Sequence, residues 1–352
     1  MHVLVAGAGG YVGSRLVPLL LDRGHEVTAS FSRPCRPDRF PWGERARLAE
    51  MDVRDADQVT EVTEGVDAVC YLVHAMGGSD FAEHDAQAAH HLAHAAIENE
   101  VGRLVYLSGI VPPVPEAELS EHIASRFEVE RVLGASGVPT ITLRAAIILG
   151  SGSTSFEILR QVSERMPVQT VPTWMSSQVQ PVAVTDVLEL LARALEVPAT
   201  TRSFDIGGPD RMPYAGLLDV YAQVAGLVRP QLSVPLLPTE LVGWLAGQLT
   251  DVPAATVEAL VQSLRHDMVC SDEDFRADLL PAGYEMTGAH QAITRALRRS
   301  PDPDGSADPL GPLPTDPQWA GGEVFVEDGA AVHAPRNIVS ELLLGPTRPQ
   351  TP

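Results

Sequence analysis

Lysine is absent from all 352 residues, so each of the 25 basic side chains is an arginine. Any chemistry that needs a lysine ammonium is thereby excluded. Positive charge is scarce as well: 46 acidic residues leave a formal charge of −21. Nucleic acids and anionic membranes both require clustered positive charge, and this balance opposes both partners. Cysteine is limited to Cys35, Cys70 and Cys270, an odd number, far apart and without metal-ligand spacing. That pattern predicts a reducing compartment, no disulfide framework and no zinc site. No apolar run reaches bilayer-spanning length. The first residues read directly as a strand, with no room for a signal peptide ahead of it, so a cytoplasmic protein is expected. The length allows one large or two modest domains.

What is present starts at the N-terminus. Residues 3–6 are apolar and read as a buried strand; Gly7, Gly10 and Gly13 follow at three-residue spacing and lead into a helical pattern. Strand, glycine turn and helix bring backbone N–H groups and a helix N-terminus against a pyrophosphate. In this reading Gly7 permits the tight turn, Gly10 lets the backbone approach the phosphates, and Gly13 allows close helix–strand packing. Tyr11 and Val12 belong to the same turn. A glycine-rich turn with no ligand is the alternative.

The first half alternates strand patterns (2–6, 26–31, 46–51, 68–73, 104–107, 140–143) with helical ones (11–22, 55–63, 80–99, 119–135). Repeated βα units with near-continuous apolar strands predict an α/β fold with a doubly wound parallel sheet. Residues 1–150 are expected to form the dinucleotide-binding domain. Residues 151–299 carry shorter patterns (156–165, 185–195, 214–224, 237–249, 254–264) and are expected to cap it and complete a substrate pocket. Residues 300–352 are rich in Pro, Gly and Asp. Little order is expected before Pro314, and one hairpin is possible over 321–334. Ser271-Asp272-Glu273-Asp274 resembles an acidic metal loop but reads better as a capping box that starts a helix. His84, His90, His91 and His94 share one helix and read as a polar surface; no carboxylate is spaced to complete a metal shell.

With these motifs in place, residues 1–298 resemble an atypical short-chain dehydrogenase/reductase of the extended, NmrA-like kind. The resemblance rests on the turn at 6–13, on Asp52-Val53, on Tyr71-Leu72-Val73-His74-Ala75, and on the strand ending in Ser108-Gly109. It also draws on Leu143-Arg144-Ala145 and on segments 180–187 and 204–208. Residues 313–322 are similar to the start of a polyketide-cyclase-like second domain of longer bacterial relatives. The resemblance implies a Rossmann sheet and an NAD(P) cofactor held by Gly7, Gly10, Tyr11, Val12, Gly13, Asp52, Val53, His74 and Ala145. His74 reads equally as a substrate-side group or a structural one.

Ordinary members of this family place a Tyr and a Lys four residues apart on one helix face, the Tyr as proton donor and the Lys on the nicotinamide ribose. Here His122 and Arg126 stand at those positions, and no Tyr occurs between Tyr106 and Tyr214. Two readings stay open. In one, Arg126 bonds the ribose and His122, or a water it holds, protonates the substrate. In the other, the cofactor binds but the pair has no catalytic role. Ser108 is a candidate hydroxyl donor, or a strand-end serine bonded to backbone. Hydride transfer itself needs only an oriented nicotinamide and one donor to the developing charge.

The second strand ends in Phe31-Ser32-Arg33-Pro34-Cys35-Arg36, with no acid and two guanidiniums. This favours NADPH over NADH, with Ser32, Arg33 and Arg36 near the 2′-phosphate; an exposed loop is the alternative. Phe156, Trp174 and Met175 are candidates for an apolar substrate wall. The leading expectation is an NADPH-dependent oxidoreductase reducing a hydrophobic carbonyl-type small molecule. Its rivals are a non-catalytic NAD(P)-binding sensor or assembly protein and, less favoured, a nucleotide-sugar epimerase, which normally uses the missing Tyr as base.

Overall fold

Parallel pairing organises the chain from its first residues. The computed structural model describes residues 1–74, 81–234, 238–298, 308–327 and 329–333. The leading elements are β1 (His2–Ala6), α1 (Tyr11–Asp22), β2 (Glu26–Phe31), β3 (Arg47–Glu50), α2 (Ala56–Thr63), β4 (Ala68–Tyr71) and α3 (Phe81–Glu98). They are followed by β5 (Arg103–Gly109), α4 (Glu121–Gly134), β6 (Thr140–Ala145), α5 (Thr154–Arg165), α6 (Val184–Ala194) and β7 (Arg202–Ile206). Beyond these lie α7 (Tyr214–Val224), α8 (Thr239–Leu249), α9 (Ala254–Ser263), α10 (Asp274–Asp278) and α11 (Ala289–Ala296).

Seven strands form one sheet in the order β7-β6-β5-β4-β1-β2-β3, and every pairing in it is parallel. The strands read as continuous apolar runs because both faces are covered. Val3 and Val5 of β1 pack into one core with Leu16 and Leu20 of α1, whereas Leu4 and Ala6 pack into the other with Leu92 and Ala96 of α3. Strand order reverses at β1, between β2 and β4, and such a switch point opens a crevice at the carboxyl ends of the strands. No helix among the described residues is long and apolar enough to cross a membrane.

The expected boundary at 150 does not divide the sheet cleanly. Strand β7 comes from beyond it and pairs with β6 from Arg202↔Ile141 to Ile206↔Ala145, so the later region builds sheet as well as cap. The capping box expected at Ser271 is absent. Asp272 Oδ1 accepts the Asp274 N–H at 3.1 Å, whereas Ser271 donates its N–H and hydroxyl to Asp205 Oδ2, at 3.0 and 2.7 Å. Ala75 and Asp80 lie outside the described residues, as do 299–307 and 334–352.

Order also begins earlier in the tail than its composition suggests. Leu310 is fully buried in the main core, and Asp308 takes a two-pronged ion pair from Arg295, both bonds 2.8 Å. The hairpin does form: β8 (Val324–Glu327) pairs antiparallel with β9 (Ala330–His333).

A close backbone contact joins the turn after β1 to α1. Gly7 has φ +87°, and a Cβ added at Gly13 would lie 2.3 Å from the Gly7 carbonyl oxygen and 2.8 Å from Ala8 Cα. Both obstacles are backbone and cannot rotate away. Gly13→Ala should therefore destabilise the protein by about 1–3 kcal/mol, the usual cost of overpacking. Thermal unfolding measures this, and an unchanged midpoint would show that helix and strand are not so close.

Candidate cofactor and substrate cleft

A cleft of about 690 Å³ runs along the carboxyl ends of the strands. The turn between β1 and α1 forms its floor, with Gly7, Gly10, Tyr11, Val12 and Gly13 lining it. Ser32 and Arg33 after β2, Asp52 and Val53 after β3, His74 after β4, Ser108 on β5 and Ala145 on β6 line it too. His122 and Arg126, one turn apart on α4, face the same space. The helix is started by Ser120, whose Oγ accepts the Ile123 N–H.

Arg36 is the exception. It does not line the cleft; its side chain is largely exposed and pairs with Asp38. Arg39 takes its place. The loop carrying it is pinned to α1, because Trp42 Nε1 donates to the Ser14 carbonyl at 2.9 Å and Phe40 stacks on Trp42 at 4.5 Å. That anchoring returns Arg39 to the cleft, and no spacing in the linear sequence signals it.

Arg126 is buried and makes no ion pair among the described residues. Its Nη2 donates to the Leu107 carbonyl at 2.7 Å, and its buried Nε has no partner. Ser108 Oγ also makes no hydrogen bond of normal geometry, only a weak contact with the Tyr106 hydroxyl. Unsatisfied buried donors are costly. A guanidinium with a spare N–H, a free serine hydroxyl and a glycine-floored crevice together fit a dinucleotide, whose sugar hydroxyls and phosphates would satisfy them.

His122 is buried, and burial, followed by the neighbouring Arg126 charge, pushes its pKa down to about 3. At neutral pH it is a neutral imidazole that donates an N–H but holds no spare proton. Burial, and after it the Arg126 charge, thus removes the spare proton from the group that the first reading has protonate the substrate. The His74 ring meets it edge-on, 6.4 Å between centroids. His74 is open to the cleft, yet protein crowds it closely enough that, with Arg126 and His122 alongside, its imidazolium is also disfavoured.

Beyond α4 the lining changes character. Ser155 and Ile158 of α5, Leu260 and Val261 of α9, Leu264, Met268, Pro317 and Trp319 form the second half, and no cation lies among these residues. Phe156, Trp174 and Met175 are not part of it. Phe156 is fully buried and Met175 sits in the core, because the face of α5 carrying Ser155 and Ile158 turns Phe156 away. Tyr214 was not anticipated: it opens α7 and lines the cleft, and burial raises its phenol to about 12. Only the fold brings it near α4.

Residues 7–173 match the family model described as NAD(P)H-binding. A 3 beta-hydroxysteroid dehydrogenase/Delta 5-->4-isomerase of Mycobacterium tuberculosis is 33% identical over 118 residues, 30% of this chain and 31% of that protein. The match thus spans about a third of that relative's length. A 3-diazoavenalumate denitrifying reductase of Streptomyces is 26% identical over 286 residues, covering 72% of this chain and 92% of the reductase. The Bordetella bronchiseptica enzyme WbmH, solved with NAD+, shares the fold at a TM-score of 0.62 and 19% identity, over 83% of this chain and 95% of its own. The fold is a Rossmann-like α/β sheet, and residues 7–173 resemble the NAD(P)H-binding family. Relatives named as steroid dehydrogenases and reductases are consistent with the atypical, NmrA-like kind of short-chain dehydrogenase/reductase.

The histidine can be checked directly. His122 ring resonances should show no titration between pH 5 and 8. An unfolded imidazole titrates near 6.5, so the unfolded state binds the extra proton first. This site therefore costs stability as pH falls from about 6.5 towards 3. His122→Leu should lessen that acid loss in denaturant titrations. An NMR midpoint above pH 5 would contradict the burial.

Proposed function

We propose that the protein is an NADPH-dependent reductase of an apolar carbonyl-type small molecule. One observation carries this reading: a single cleft joins a glycine floor and the guanidiniums of Arg33 and Arg39 to a second half that is apolar and free of cations among its described lining. The first half suits a 2′-phosphorylated dinucleotide. The second suits a neutral, hydrophobic ligand and offers no cation to a nucleotide diphosphate, which argues against a nucleotide-sugar epimerase. The unbridged cysteines accord with a reducing, cytoplasmic setting.

A bound nicotinamide would supply the hydride. Arg126 would hold the cofactor sugar through its guanidinium. Neutral His122 would donate its N–H to the oxygen that gains charge, and Ser108 and Tyr214 line the same cleft. Complete loss of a proton from a neutral imidazole is unfavourable, so these groups stabilise the oxyanion while water delivers the proton. The same low pKa supports the rival reading, a protein that binds NAD(P) and turns over nothing.

A fluorescence titration should show NADPH bound about tenfold or more tightly than NADH, since one charge-assisted bond contributes about 1.5–3 kcal/mol. Arg33→Ala and Arg39→Ala should each erode that preference, whereas Arg36→Ala should not. Equal affinities for the two cofactors would end the NADPH assignment. With cyclic ketones as substrates, His122→Phe should lower kcat about 100-fold with little change in NADPH affinity. A parent that binds NADPH but reduces no ketone would leave the sensor reading.

A further inference from the structure

Two charged clamps fix the segment 308–327 across the body, and the stretch between them carries a tryptophan into the cleft. In the first, Arg15 of α1 gives two bonds to Asp316, 2.7 and 3.0 Å, and a third from Nε to the Pro309 carbonyl at 2.8 Å. Its guanidinium lies 4.2 Å over the Tyr11 ring, and Tyr11 lines the cofactor half. Arg15 and Asp316 are both almost fully buried.

The second clamp is one face of α5. Glu157, Arg160, Gln161 and Glu164 are all buried. Their partners include the backbone of the C-terminal segment. Glu157 accepts the Gly321 N–H at 2.8 Å, Glu164 accepts the Glu323 N–H at 2.5 Å, Arg160 donates to the Val324 carbonyl at 2.9 Å, and Gln161 donates to the Trp319 carbonyl at 2.8 Å. Buried charge persists only where it is paired, so this helix face is built to hold that backbone. Between the clamps, Trp319 packs against the cluster of Ile158, Val257 and Val261, and it lines the cleft with Leu260 and Leu264.

We propose that Trp319 is a specificity-determining residue: it walls the apolar half and limits the size of ligand admitted, and Asp316 is the positioning residue that holds it there through Arg15. The proposal rests on the reading that this half takes the substrate. Because Arg15 also stacks on Tyr11, the wall is fixed to the helix that floors the cofactor half.

The test uses the full chain with NADP+ present and follows displacement of 8-anilinonaphthalene-1-sulfonate by cyclohexanone, 2-decalone and a tetracyclic ketone. Trp319→Ala should shift the affinity ratio at least fivefold towards the tetracyclic ketone. Asp316→Asn should shift it the same way by a smaller factor, and Trp319→Phe by less than twofold. If Trp319→Ala does not fold, Trp319→Leu makes the same comparison. An unchanged ratio in a folded variant overturns the proposal and leaves the reductase reading standing where the parent reduces the ketones. A shifted ratio in a parent that binds ketones but reduces none supports the wall and removes the reductase. Failure of every ketone to displace the probe from parent and variant overturns both.

Discussion

Everything at the site depends on how closely α1 can sit on β1. The carbonyl of Gly7 occupies the space where a side chain on Gly13 would begin. That contact sets the depth of the crevice at the switch point and aims the start of α1 into it. It also fixes where the next turn of α1 emerges: Arg15, two residues after Gly13, reaches Ser151, Pro309 and Asp316 from there. A helix seated farther out would lose the glycine floor of the cleft and the anchor of the C-terminal segment together.

The electrostatics around His122 follow from burial beside a guanidinium that makes no ion pair among the described residues. Elsewhere in this acidic chain, buried and half-buried guanidiniums meet acids: Arg15 meets Asp316, half-buried Arg144 meets Glu130, and Arg160 meets Glu157 and Glu164. Arg126 alone among these buried arginines is given a carbonyl and a spare donor. Its uncompensated charge and the surrounding burial keep His122 neutral. A tyrosine–lysine pair lowers the pKa of an acidic donor by placing a cation beside it. The same cation beside an imidazole removes the proton instead. The two arrangements are equivalent in position and opposite in proton chemistry.

How much of this was legible in the sequence depended on whether the cause was local. Strands β1 and β2 and helix α1 begin and end where their apolar and glycine patterns do, because two-sided burial and a backbone-limited turn act on neighbouring residues. The cleft-facing residues at the strand ends were equally readable, since a parallel sheet presents each carboxyl end to one crevice. Arg39 displaced Arg36 because Trp42 ties their loop to Ser14 across 28 residues. Tyr214 and Trp319 reach the cleft only through long-range packing. The depression of His122 exceeded what Arg126 alone suggests because its burial depends on how α4 packs.

Helix α5 shows how far that limit extends. Glu157, Arg160, Gln161 and Glu164 recur at helical spacing, the pattern that ordinarily marks a solvated face. All four are buried. What covers them is largely the backbone of a segment about 160 residues later, whose Pro- and Gly-rich composition reads as a tail with little order of its own. Each element misleads in isolation: the helix seems to need water, and the tail seems to need nothing. Together they solve each other's problem, since exposed peptide groups are the partners a buried polar face requires. A segment bound mainly through its main chain leaves few side-chain marks in its sequence. The resulting wall of the cleft is therefore visible only once the fold has brought the two together.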